Sequence, residues 1–353
     1  MESHKNPMVF VYTLSFLQCN EKDFLDLSAL MMQHLPTFLV VGAVKAGTTS
    51  LHEYLMQHPE IYMSPVKETN HFSDADMDFE HFNVDYRQDI GHQLDKYLQG
   101  PMDRKIHIAH VRTWDQYLQL YKNVRQEKAI GEVSNSYLYC PSTAAAIKDK
   151  LPDVKIVMVL RNPVDRLFSQ YVMNLKLGKI TEKDLIKELE KDAAKPFKGW
   201  GVSHLYKEVG MYSDQVERYL AQFPAAQVKV ILFDDFKADP QAVMQDLFAF
   251  LEVAPLEVDT SKRYNEAGMP RFGKLNYWLT QIGVYGLIKR LFPDDLKQRL
   301  KALAFTKEGV PRITPEERIY LEQLYKADIL RLSALIGRDL SFWFSQEIDG
   351  SED

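Results

Sequence analysis

Three short runs of this chain are apolar almost throughout: TFLVVGA (37–43), VKIVMVL (154–160) and VKVILF (228–233). Each reads as a buried strand. Each is followed by a segment with helical spacing. TSLHEYLMQHP (49–59) places Leu51, Tyr54 and Leu55 on one face and stops at Pro59. VDRLFSQYVMNLKLG (164–178) closes on Gly178, and PQAVMQDLFAFLEV (240–253) is amphipathic. Continuous apolar strands alternating with amphipathic helices predict an α/β fold, with a central parallel sheet covered by helices on both faces. From about Pro270 the pattern is mostly helical. With no repeat, low-complexity tract or evident linker, the expected organisation is an extension over 1–35 and one domain over 36–353. That domain has its core at 37–275 and a helical part at 276–345.

Composition narrows the partners. The chain has 353 residues, 46% of them hydrophobic, with a net charge of −6 and a pI near 6.0. That balance argues against a nucleic-acid or other polyanionic partner, although a local basic groove stays open. Cys19 and Cys140 are too few for a disulfide framework and suit a reducing cytoplasm. MVFVYTLSFLQC (8–19) falls short of the roughly 20 apolar residues a membrane span needs, so stable insertion is not expected. The basic amphipathic stretch 285–305 is expected to face a core rather than a membrane. The oligomeric state stays open.

The loop after the first strand carries the chemistry. VVGAVKAGTTSL (40–51) has the two glycines of the phosphate-loop pattern G-x-x-x-x-G-K-[ST], Gly42 and Gly47. Its lysine is displaced into the loop, at Lys45, and Thr48 follows the second glycine. A glycine loop between strand and helix presents backbone N–H groups at a helix N-terminus, which makes an anion site. Thr48, Thr49 and Ser50 add hydroxyls, and Lys45 adds a charge. The displaced lysine speaks against an ATPase or kinase. VILFDD (230–235) imitates a magnesium-holding strand end, so that rival stays open, as does a non-catalytic nucleotide-binding protein.

Here the residues resemble a known family. Lys45-Ala46-Gly47-Thr48-Thr49 looks like the 5′-phosphosulfate loop of sulfotransferases that use 3′-phosphoadenylyl sulfate (PAPS). LRNPVDRLFSQY (160–171) looks like that family's 3′-phosphate element, with Arg161 and Ser169 converging on one phosphate. GEVSNSYLY (131–139) resembles its G-E-x-S-P-x-Y segment, and 210–240 its G-x-Y to D-P stretch. The resemblance runs in order over about 37–275. It is closest to the branch of heparan sulfate sulfotransferases and bacterial tailoring enzymes.

The resemblance implies transfer of a sulfuryl group from PAPS to a hydroxyl or amine, leaving adenosine 3′,5′-bisphosphate, with no metal. It implies that Lys45 and the loop through Ser50 hold the leaving phosphate, and that Glu68 in PVKETNHFS (65–73) is the base. Burial is expected to raise the pKa of Glu68 toward working pH. His71 is the alternative base or a helper, since Asn70 stands where the family often has histidine. Tyr212 is expected near the adenosine. Arg271, with Lys262 and Arg263, is expected on a late loop over the 3′-phosphate. Val133 replaces a lysine common among relatives with glycan acceptors. DADMDFEHFNVD (74–85) is either a solvated loop or a negative rim. Together these point to a small, neutral or cationic acceptor. A guanidinium alkaloid of the saxitoxin type is one specific candidate, and a heparan-type glycan is the alternative.

Overall fold

A computed structural model describes residues 34–261 and 311–345, with two short strands, Met269–Pro270 and Phe305–Thr306, between them. Most of the expected N-terminal extension (residues 1–33), most of the stretch 285–305, and Lys262, Arg263 and Arg271 lie outside the described residues.

The core is a five-stranded parallel sheet. Its strands are β1 (Phe38–Gly42), β2 (Ile61–Met63), β5 (Ala129–Val133), β6 (Lys155–Leu160) and β7 (Val228–Leu232), in the spatial order β2-β5-β1-β6-β7. A small parallel pair, β3 (Val66–Glu68) and β4 (Ile106–Ile108), forms a second sheet, with β3 packed beside β5. Every residue of β1 and β5 is buried, and so is β6 after Lys155. Parallel strands with both faces covered require such uninterrupted apolar runs.

Five helices bear on the site: α1 (Thr48–Leu55), α2 (Pro163–Leu177), α3 (Tyr212–Gln222), α4 (Pro240–Leu251) and α5 (Pro315–Ile336). Of these, α1, α2 and α4 fall in the segments whose apolar spacing predicts a helix. Local chemistry fixes their ends. Asn162 Oδ1 accepts from the Val164 and Asp165 N–H groups, Pro163 opens α2, and Gly178 closes it at φ 68°. Asp239 caps α4, and Thr314 with Glu317 forms a capping box on α5.

Two of the sheet's strands carry no apolar run. β2 is three residues long, and β5 (AIGEV) contains Gly131 and a buried glutamate, Glu132. A Cβ at Gly131 would lie 2.3 Å from the Phe38 ring, so the close packing of β1 on β5 needs glycine there.

The strand order decides where a ligand can sit. The chain leaves β1 for one edge, returns to fill β5, then crosses β1 to reach β6 and β7. In open α/β sheets the crevice lies beyond the carboxyl ends of the strands where the order reverses. Here those ends are Gly42, Val133 and Leu160.

Candidate active site

Both loop glycines are dictated by their surroundings. Gly42 has φ 152°, and a Cβ there would meet Leu138 Cβ at 2.9 Å. Gly47 has φ 99°, and its Cβ would face the Phe233 ring at 3.0 Å. Between them the Ala46 N–H donates to Ala43 O at 3.2 Å, which tightens the turn, and Lys45 sits at φ 65°. α1 starts at Thr48 with no side-chain cap and no acidic residue in its first turn. Its first N–H groups therefore have no intrahelical acceptor, and the positive end of the helix faces the loop.

Two cations share that position. Arg161 Nη1 donates to Lys45 O at 3.1 Å, and its guanidinium lies 4.7 Å from the Phe233 ring centre. Among the described residues Lys45 Nζ has one hydrogen-bond partner, the weak acceptor Met173 Sδ at 3.4 Å. Neither cation is paired with a carboxylate among the described residues. Burial first, then the nearby charge of Arg161, lowers Lys45 to about 8. Burial also lowers Arg161, with Asp165 opposing. Two half-buried cations without a counter-ion among the described residues form a site that favours an anion.

Ser169, Met173 and Lys176 are spaced along one face of α2, and Met173 marks it as the face toward Lys45. The Ser169 hydroxyl makes no hydrogen bond among the described residues, nor do those of Thr49 and Ser50. Thr48 is different. It is buried, and its Oγ1 donates to Asn135 Oδ1 at 3.1 Å.

Glu68 ends β3 and is 7% exposed. Its Oε1 accepts from Lys67 Nζ at 3.0 Å and from Asn135 Nδ2 at 2.7 Å. Through Asn135, Glu68 is tied to Thr48 at the start of α1. Next to it lies a second carboxylate, Glu132, 1% exposed. Glu132 Oε2 accepts from Thr69 Oγ1 at 2.6 Å and Ser134 Oγ at 3.0 Å, and Oε1 from Tyr117 and Tyr137 hydroxyls, each at 2.8 Å. Burial raises its pKa, and these hydroxyl donors oppose the shift. Ser134 Oγ also accepts the Thr69 and Asn70 N–H groups, at 3.0 and 3.3 Å. Glu132 thus fixes the backbone that follows Glu68. Neither Asn135 nor Glu132 was singled out from the residues. The signal was present in GEVSN, where Asn135 occupies the place of the pattern's proline.

His71 is held by its own shell. Its Nδ1 donates to Val111 O at 2.8 Å, and its ring stacks on Tyr117 at 4.5 Å. Burial lowers its pKa. Among the described residues no hydrogen bond joins its ring to Glu68. Tyr212 is fully buried, and its hydroxyl donates to Arg161 O at 3.1 Å, which steadies the backbone of that arginine.

The acidic segment is largely tied down. Asp74 pairs with His110 at 2.9 Å, Asp76 accepts from Ser142 N and Oγ at 2.9 and 2.7 Å, Asp78 pairs with His81 at 2.7 Å, and Asp85 with Lys179 at 3.3 Å. Glu80 alone of the five is exposed without such a contact among the described residues. The aspartates that imitate a magnesium-binding strand end are also engaged: Asp234 accepts from Trp343 Nε1 at 3.0 Å, and Asp235 pairs with Arg338 at 3.2 Å. Among the described residues no three acidic, histidine or cysteine side chains gather to hold a metal, and no helix is long and apolar enough to cross a membrane.

A family model described as "Sulfotransferase family" matches residues 36–257. A crystal structure of a sulfotransferase from Alicyclobacillus acidocaldarius is 32% identical, with a TM-score of 0.62 over 88% of this chain and 99% of that one. Bifunctional heparan sulfate N-deacetylase/N-sulfotransferase 3 of Mus musculus is 24% identical over 94% of this chain. The membrane-associated sulfotransferase kil1 of Dictyostelium discoideum is 23% identical over 65% of it. The chain spans only 34% of the length of the mouse protein and 59% of the Dictyostelium one.

Proposed function

This chain belongs to the sulfotransferase family, and on that premise we propose that it moves a sulfuryl group from PAPS to a hydroxyl or amine of a small acceptor. The observation that carries the reading is the pair of half-buried cations, Lys45 and Arg161, with no carboxylate partner among the described residues, joined at the uncapped start of α1. A ligand with two phosphate groups suits such a donor set. Arginine forks onto phosphate oxygens, and a lysine at a helix N-terminus neutralises a point charge.

When bound, PAPS supplies the sulfuryl group already activated on its 5′-phosphate. Lys45 and the N–H groups opening α1 would stabilise the charge that grows on that phosphate as the bond breaks. Thr49 and Ser50 would add hydroxyl donors. Arg161 and Ser169 would hold the 3′-phosphate, with Tyr212 steadying Arg161 from behind. Glu68 would accept the acceptor's proton. Lys67 and Asn135 both bind Oε1, which leaves Oε2 for that task. His71 would act as a wall rather than a base, since Val111 and Tyr117 fix it.

Val133 is buried in β5 and offers no cation to a polyanionic acceptor, which supports a small one. The partnered aspartates of the acidic segment lend a guanidinium acceptor little support. A glycan acceptor is the second reading, favoured by the similarity to the heparan sulfate enzyme across nearly the whole chain. The low cysteine count supports a cytoplasmic setting.

A thermal-shift titration compares adenosine 3′,5′-bisphosphate with ATP plus Mg²⁺. The bisphosphate is expected to stabilise the protein more; stabilisation by ATP–Mg²⁺ alone would overturn the proposal. Labelled PAPS, offered with a small-molecule panel and with desulfated heparan, then separates the two acceptor classes. Transfer to the polysaccharide alone would reverse the choice made here. Glu68→Gln should lower transfer by about 10²–10⁴-fold, the usual contribution of a positioned base.

A further inference from the structure

We propose that Asn135 is a positioning residue that couples occupancy of the anion loop to the setting of Glu68. The proposal rests on the reading of that loop as the donor site and of Glu68 as the base.

The two ends of the Asn135 side chain are chemically different, and its neighbours decide which end faces which. An ionised Glu68 Oε1 can only accept, so the end lying 2.7 Å from it is the NH₂ group. The other end, Oδ1, can only accept as well. It lies 3.1 Å from Thr48 Oγ1, so the single hydroxyl proton of Thr48 is committed to Asn135. Thr48, Asn135 and Glu68 are 4%, 5% and 7% exposed, so water does not readily replace a bond lost within the relay.

Thr48 opens α1, at the end that faces Lys45 and Arg161. An anion that takes the Thr48 hydroxyl proton must draw it away from Asn135. Among the described residues the Asn135 side chain then keeps only its bond to Glu68 and can turn, and Lys67 is left as the one fixed donor to the carboxylate. Thr49 and Ser50 can serve an anion without this consequence, because their hydroxyls make no hydrogen bond among the described residues. Thermodynamic linkage makes the effect reciprocal: a change at Glu68 must alter anion affinity by the same factor.

The coupling is a property of this chain rather than of the segment it resembles. A proline, which the pattern has at this place, carries no side-chain donor or acceptor. The backbone of Asn135 nevertheless suits a proline. Its φ is −70°, and its N–H makes no hydrogen bond among the described residues. Asn135→Pro therefore removes the relay while sparing the backbone, and Asn135→Ala removes it by a second route.

The test is a double-mutant cycle read by calorimetry, with adenosine 3′,5′-bisphosphate as the probe and the full chain as the protein. Dissociation constants are measured for the wild type, for Glu68→Gln, for each Asn135 variant, and for each double variant. Thermal melts check that every variant is folded, and either Asn135 variant suffices. Glu68→Gln is expected to change the dissociation constant about fivefold or more when Asn135 is present. It should change it less than about twofold when Asn135 is replaced. The same factor in every background overturns the coupling and leaves the donor reading intact. No binding of the probe to the wild type overturns the donor reading, and this proposal with it.

Discussion

Lys45 shows at the scale of one residue how the proposed donor site would be held ready for its ligand. Its neighbours are Arg161, Lys176 and Lys67 rather than carboxylates, and burial with these charges brings it down to about 8. In the free protein it therefore begins to lose its proton in the range where enzymes are assayed. A bound phosphate favours the protonated form. Affinity for adenosine 3′,5′-bisphosphate should fall as pH rises through about 8. Binding at that pH should take up protons, visible as heats that differ between buffers of different ionisation enthalpy. Heats that do not depend on the buffer would rule this out. Lys45→Met should weaken binding by about tenfold to a hundredfold, the worth of a hydrogen bond to a charged group. The same variant should stabilise the ligand-free protein. The folded state carries the cost of a partly desolvated charge below pH 8, and that cost fades between about 8 and the ordinary value of 10.5. Stability and function thus pull in opposite directions at this position.

At the scale of elements, Glu132 joins β5 to the segment after β3. Four hydroxyls converge on it, and two of them belong to Thr69 and Ser134, which set the backbone beside Glu68. Glu132→Ala would leave these donors buried without an acceptor. A loss of about 3–5 kcal/mol is expected in denaturant unfolding, as for a buried polar network broken on one side. A loss under about 1 kcal/mol would show that water enters the space and replaces the carboxylate. β5 also explains why part of the sheet was hard to read in the residues. A strand is recognised by an apolar run, and AIGEV breaks its run with a glycine and a charge. Both interruptions are answered by tertiary contacts, Phe38 over Gly131 and hydroxyls around Glu132.

Over the whole molecule, α5 supports the proposed anion site through α3. Asp328 on α5 accepts from the Tyr212 and Ser213 N–H groups at 2.7 and 3.0 Å, and from Ser213 Oγ at 2.5 Å. It caps α3 from another element, as a carboxylate at a helix N-terminus should. Tyr212 in turn holds the carbonyl of Arg161. Asp328→Ala should cost about 2–3 kcal/mol of stability. It should also weaken binding of adenosine 3′,5′-bisphosphate, although residue 328 lies more than a hundred positions from Arg161 in the chain. Unchanged affinity in a destabilised variant would restrict Asp328 to a purely structural part.

The sequence by itself determined the α/β class, three core strands with the helices that follow them, and the glycine loop around Lys45. Each of these is a local pattern: an apolar run, a helical period, or a glycine pair between strand and helix. Arg161 and Ser169 are likewise placed by short-range geometry, just after a strand end and on the helix that follows it. The tertiary structure alone decided which polar groups meet. It spent the hydroxyl of Thr48 on Asn135, tied the acidic segment to His110, Ser142 and Lys179, and gave His71 to Val111 and Tyr117. Partners of this kind come from distant parts of the chain. They are selected by burial, which penalises any donor or acceptor left alone.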